Sequence, residues 1–319
     1  MNIRLYHALL LTMEENRSIF EGEVWIKDER IRYVGDGSAQ DVSESCAFLG
    51  CSVKEDILWD EEIDCQGNLL MPGFKNAHTH SGMTLPRSYA DDLPLHDWLN
   101  EQVFPIEAKL SEEDVYHLTK LAVLEYLTSG ITSIFDMYLT PESIGRACAE
   151  MGMRCVQTGG VNNFSQSMEL LEKWYEELNG KHPLLSFLPG FHAEYTCSKE
   201  LMEEIAEFAS RKKAPIYVHL SETESEVEGC RERYGMTPGM FLDSLGMFAY
   251  GGGVYHGVWL TKEEMKLFKE RNVSVITNPG SNTKLASGIA PVSSFLEEGL
   301  NVAIGTDGPA SNNCLDMFR

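Results

Sequence analysis

From residue 69 onward the chain repeats one pattern: a short apolar run, a loop, then an amphipathic helical stretch. The apolar runs fall at 69–77, 131–137, 153–158, 184–191, 215–220, 253–256, 273–277 and 302–305. Helical stretches lie between them at 111–129, 141–151, 165–178, 198–212, 224–233, 262–270 and 292–298. Strands that run the same way cannot be joined by a tight turn, so they need such crossovers. Eight strands alternating with helices predict an α/β fold, a (β/α)8 TIM barrel. An open doubly wound sheet would carry a Gly-rich phosphate loop after an early strand, and none is present. Ser111-Glu112-Glu113-Asp114 suits a helix N-terminus, and Gly130 sits where a C-cap glycine belongs.

Residues 1–68 differ in character. Short alternating segments at 2–13, 23–27 and 30–34 are separated by turns, with 24–26 and 31–34 forming a hairpin across Asp28-Glu29. The polar stretch 46–62 reads as a loop. The expectation is a small N-terminal β-sandwich module over 1–68 and a barrel over 69–319. Strand eight ends near Thr306 and the chain stops at Arg319, so the last helix is expected to be truncated and the barrel C-terminally incomplete.

Charge narrows the partners. Lys plus Arg number 26 against 49 for Asp plus Glu, a formal net charge of −23. Such a chain repels phosphate backbones and anionic bilayers, which argues against nucleic acid or membrane as partner. Eight cysteines without a CxxC pair read as reduced thiols of a cytoplasmic protein.

Barrel enzymes carry their chemistry at the C-terminal ends of strands. Those ends hold His78 and His80, then His192, His219, His256 and Asp307. In His78-Thr79-His80, alternate residues of one strand project to the same face. His78, His80, His219 and Asp307 form a plausible open site for Zn²⁺ or Fe²⁺. A cation so held acidifies a bound water and makes it a nucleophile at neutral pH. Glu222, three residues beyond His219, is placed to move the proton of that water. Its bland alternative is a first-turn helix acid. His256 is placed to hydrogen-bond the attacking oxygen or a developing oxyanion. His7, His117 and His182 read as surface or packing residues, and His96 stays unassigned.

Five motifs then carry a resemblance: PGFxNAHTHxxMTLxR, YADDLPLxxWL, HLSET, SNxKLxSGIAP and GTDGxxSNN, in that order from Pro72 to Asn313. The chain resembles the amidohydrolase superfamily, in its branch of methylthioadenosine/S-adenosylhomocysteine deaminases with related chlorohydrolases and guanine deaminases. The resemblance implies one metal on His78, His80, His219 and Asp307, with Glu222 as proton shuttle and His256 assisting the hydrolytic water. Strand four lacks the lysine that bridges two metals in binuclear relatives. It further implies substrate contacts from Trp98, Glu107, His192 and Ser311. Trp98 also fits core packing, and Glu107 a helix-start acid.

Several positions depart from that pattern. Thr158-Gly159-Gly160 lacks the arginine that would meet a homocysteine carboxylate. Thr277-Asn278-Pro279 replaces H-N-P, and Glu194 brings a negative charge after strand four. The expected activity is metal-dependent hydrolytic deamination of an aminopurine nucleoside or related heterocycle by a homo-oligomer. The alternatives are a triazine chlorohydrolase or cyclic amidase, and a catalytically silent metal-binding homologue.

Overall fold

The first apolar run does not form one strand. In the computed structural model, which describes residues 1–38 and 42–319, Pro72-Gly73 splits it into Leu69–Leu70 and Phe74–Thr79. Proline brings no N–H to a ladder, so a strand breaks there. Two compact units result, Met1–Gly73 and Phe74–Arg319.

In the first unit, β1 (Asn2–Leu10), β2 (Phe20–Lys27), β3 (Arg30–Gly35), β4 (Glu61–Asp64) and β5 (Leu69–Leu70) form one sheet. Its order is β3-β2-β1-β4, with β5 also on β1. β2 and β3 make the expected hairpin, with Asp28 at φ +54° in its turn, a conformation that aspartate tolerates. The stretch 46–62 is not the expected loop. It contributes to α1 (Ser43–Leu49), whose Cys46 and Leu49 pack with Ile57 around Trp25 and Tyr33. It also supplies the start of β4, whose side chains are all exposed, so backbone pairing to β1 holds it. The described residues therefore hold one mixed sheet against a helix, where a two-sheet sandwich was expected.

The second unit is α/β with parallel strands throughout. One sheet runs β6 (Phe74–Thr79), β7 (Ile131–Met137), β8 (Arg154–Thr158), β9 (Leu185–Leu188). The other runs β10 (Gly190–Ala193), β11 (Ile216–Leu220), β12 (Gly252–His256), β13 (Val273–Thr277), β14 (Val302–Ile304). β9 and β10 are two halves of the fourth apolar run, interrupted at Pro189. The far edges also meet. The Asn76 side chain donates to Thr306 Oγ1 at 2.6 Å and accepts the Thr306 N–H at 2.9 Å. The Asp307 N–H donates to His78 O at 3.0 Å. These connections fit a (β/α)8 barrel.

The crossover helices are α2 (Glu112–Thr128), α3 (Pro141–Met151), α4 (Met168–Leu178), α5 (Lys199–Lys212), α6 (Glu224–Tyr234), α7 (Pro238–Ser244), α8 (Lys262–Arg271) and α9 (Val292–Glu297). Ser111 caps α2 with Asp114 reciprocating, and Gly152 at φ +75° ends α3. The helix α7 was not among the expected helical stretches. It begins at Pro238, and proline is favoured at a helix start. Inside the strands, Met137, Tyr255 and Ile276 fill the centre. Between strands and helices, Phe187, Phe191, Phe208, Phe248 and Phe268 are buried. Each such side chain stabilises by about 1.5–3 kcal/mol.

Candidate active site

The strand ends bring the expected ligands together. His78 is fully buried on β6, its ring stacked on Tyr255 at 3.7 Å. His78 Nε2 lies 3.2 Å from His219 Nε2 and 3.4 Å from Asp307 Oδ1. His80 Nε2 lies 3.1 Å from the same Asp307 oxygen. His78, His80 and Asp307 form one group that could hold a metal ion, and His78, His219 and His256 form a second.

Backbone carbonyls set two of the rings. His219 Nδ1 donates to His192 O at 2.8 Å, and His80 Nδ1 donates to Met137 O. Each bond leaves Nε2 aimed at the cluster, the outer-sphere arrangement that orients metal-binding histidines. Burial pushes the His78 ring down to about 3 and holds His219 well below its usual value, so both are neutral. Burial alone would raise Asp307, but His78 and His80 outweigh it and keep the carboxyl well below its ordinary range. Burial likewise opposes charge on His80, yet Asp307 lifts that ring to about 9. A proton and a cation compete for such a nitrogen. The neutral rings of His78 and His219 beside an ionised carboxylate fit a divalent cation, which would displace the proton from His80.

Glu222 is 4% exposed, its Oε1 accepting from Ser287 Oγ at 3.2 Å. It precedes Thr223, the N-cap of α6, so it is not a first-turn helix acid. Burial raises its pKa against the pull of His256. His256 Nε2 sits 3.5 Å from Glu222 Oε2, while Nδ1 donates to Asn282 Oδ1 at 2.7 Å. His256 and Asp307 have φ of +71° and +60°. Left-handed backbone at non-glycine residues is uncommon and gathers at functional sites.

A cavity of about 310 Å³ opens onto this cluster. Trp98, Glu107, His192 and Ser311 all line it, together with His80, His219, Glu222, His256 and Asp307. Trp98 lies on a π-helical turn, Trp98–Val103, within a helical run that continues to Glu107. Burial pushes Glu107 up to about 7. His192 Nδ1 donates to Thr196 Oγ1 at 3.1 Å, and that hydroxyl donates to Ala193 O, leaving His192 Nε2 as an acceptor. Burial lowers that ring to about 4.

One expectation changes. Glu194 brings no free charge, because Arg233 engages both its oxygens at 3.1 and 2.6 Å. His96 is half-buried, edge-on to Tyr195 at 5.3 Å, and joins neither metal-binding group. His7, His117 and His182 bond locally, to Asp64, Glu113 and the Leu184 N–H. Asn282 and Ser287 had no assigned role. Both stand inside the SNxKLxSGIAP stretch, the one signal that could have marked them.

Comparison with known proteins gives the family. Residues 69–319 match the Amidohydrolase family. A 5-methylthioadenosine/S-adenosylhomocysteine deaminase of Caldanaerobacter subterraneus subsp. tengcongensis is 40% identical over all of this chain and 72% of its own length. A 5′-deoxyadenosine deaminase of Methanococcoides burtonii is 42% identical over 80% of this chain and 61% of the relative. The crystal structure of an adenosine deaminase from Xanthomonas campestris with bound zinc superposes with a TM-score of 0.85. It is 30% identical and covers 99% of this chain and 71% of that one. With the family matched over residues 69–319 and the Caldanaerobacter relative aligned over the full chain, the protein belongs to the amidohydrolase family.

Proposed function

We propose that the chain is a metal-dependent hydrolytic deaminase of an aminopurine nucleoside whose 5′ substituent carries no negative charge. One divalent cation, Zn²⁺ or Fe²⁺, would be held by His78, His80, His219 and Asp307. The observation that carries the reading is the cavity itself. It joins this ligand set to Glu222 and His256, and its lining among the described residues contains Glu107, Glu222 and Asp307 but no lysine or arginine. The names of the relatives, deaminases of adenosine-type nucleosides, support the same class.

When bound, the cation supplies Lewis acidity that lowers the pKa of a water. Glu222, buried and raised in pKa, takes the proton of the adding water and returns it to the amine nitrogen. The oxygen joins the amine-bearing ring carbon as the ring C=N π bond opens, and the adjacent ring nitrogen takes the water's other proton; the C–N bond then breaks, ammonia leaves and the ring keeps an oxo group and an N–H. His256, fixed by Asn282, presents Nε2 to the oxygen that is added. His192 Nε2 accepts from a ring N–H or amine, and Glu107 accepts from sugar hydroxyls. Trp98, Leu99 and Phe104 supply apolar walls that exclude water.

Ammonia release from 5′-deoxyadenosine, 5′-methylthioadenosine and S-adenosylhomocysteine tests the reading. The first two should turn over. The third should fall by at least roughly 10²-fold in kcat/KM, since its carboxylate finds no cation in the cavity. Chelation should abolish turnover and zinc should restore it. Failure to release ammonia from any aminopurine nucleoside, with chloride or carboxylate released from a triazine or cyclic amide instead, would overturn it.

A further inference from the structure

Among the described residues, three helices begin with the same signature, a Ser or Thr N-cap followed three residues later by an acid. They are Ser111 with Asp114, Thr223 with Glu226 and Thr261 with Glu264. In the first and third, the acid turns back to its own N-cap, accepting the Ser111 N–H at 2.9 Å and the Thr261 N–H at 2.9 Å. That is the reciprocal capping box. The second differs. The Thr223 hydroxyl still accepts the Glu226 N–H at 3.3 Å, but the Glu226 carboxylate reaches past Thr223. Its Oε1 accepts the Ser221 N–H at 2.8 Å and its Oε2 accepts the Glu222 N–H at 2.9 Å.

Ser221 has φ +52°, a left-handed conformation that is strained for a non-glycine residue. Two successive N–H groups in such a turn form a concave anion seat, and here a side chain of the same protein fills it. Glu226 is 3% exposed and does not line the cavity, so it has no access to substrate. The Glu222 side chain instead reaches Ser287 and His256, within the cavity wall. We infer that Glu226 is a positioning residue: its carboxylate clamps the Ser221–Glu222 backbone and so fixes where the Glu222 carboxylate stands. The inference rests on the reading of Glu222 as the proton carrier. It does not extend to the metal ligands, because His219 is held separately by β11 and by His192 O.

The test is a double-mutant cycle on the zinc-loaded full chain, with 5′-deoxyadenosine as probe. In E226Q the amide NH2 faces one backbone N–H, so one of the two loses its acceptor. E226Q should lower kcat roughly 10–100-fold, with KM within about threefold and zinc content unchanged. The double variant E222Q/E226Q should be no slower than E222Q, because Glu226 acts only through Glu222. Should E226Q not fold, E226D, which keeps the carboxyl group but is one methylene short, takes its place under the same criteria. Wild-type kcat in the folded Glu226 variant, or losses that multiply in the double variant, overturns the clamp. Wild-type kcat in E222Q overturns the reading of Glu222 instead, so the two failures are distinct.

Discussion

His78 and His219 point their Nε2 atoms at each other across 3.2 Å. Both rings are kept neutral by burial, and Asp307 Oδ1 stands 3.4 Å from the His78 nitrogen. A gap between neutral imidazoles beside a carboxylate suits a cation better than a second proton. The His219→Ala variant should therefore fall from about one bound zinc per chain to a small fraction of that. Zinc at 100 times its Kd should stabilise the wild-type fold by about 2.7 kcal/mol, an increment absent in H219A. Metal analysis and thermal melts with and without zinc check this. Unchanged zinc content in H219A would remove His219 from the site.

The proposed ligands stand out in the sequence because strands present alternate residues to one face and barrel strands all end at one rim. His78-Thr79-His80, His219 and Asp307 needed only strand boundaries to be found. Their supports were not legible, because they depend on distant contacts. Asn282 reaches His256 over 26 residues, and Ser287 reaches Glu222 over 65. Glu226 looks like an ordinary capping-box acid until its carboxylate is seen to bypass Thr223. Glu194 looks like a free charge until Arg233, 39 residues on, is seen to pair with it. In the first unit β4 has four exposed side chains and so no apolar pattern to betray it. Pro72 and Pro189 cut single apolar runs into separate strands, an effect that composition alone does not weigh.

Glu107 should make stability depend on pH. Burial lifts its carboxyl from 4.5 to about 7. Between those values the folded chain holds a proton that the unfolded chain has already released. Stability from this group therefore falls as pH rises from about 4.5 to about 7 and is level above that. Glu107→Gln should remove the dependence and be more stable than wild type at pH 8, by roughly 2–3 kcal/mol, with no gain below pH 4. Urea melts at pH 4, 6 and 8 check the sign. The same variant should raise KM for a nucleoside, since a neutral amide is a weaker acceptor for sugar hydroxyls. A gain that persisted at pH 4 would point to packing, not ionisation.

Gly305 sets how closely the last strand approaches the first. A Cβ there would stand 2.7 Å from His78 Cβ, 2.8 Å from His78 O and closer still to Asn278 Oδ1. That His78 carbonyl also accepts the Asp307 N–H at 3.0 Å, so the same few atoms place two of the proposed ligands. Backbone and buried side chains cannot give way cheaply, and overpacking of this kind costs about 1–3 kcal/mol. Gly305→Ala should therefore separate Asp307 from His78 and weaken zinc binding by roughly 10–100-fold. Gly152→Ala is the control. Its Cβ meets nothing within 4 Å, but φ +75° strains it, so it should cost about 1 kcal/mol and leave zinc affinity alone. Zinc competition against a chromophoric chelator, with urea melts of both variants, separates the two effects. Wild-type affinity in a folded G305A would mean that the close approach at Gly305 serves packing and not the ligands.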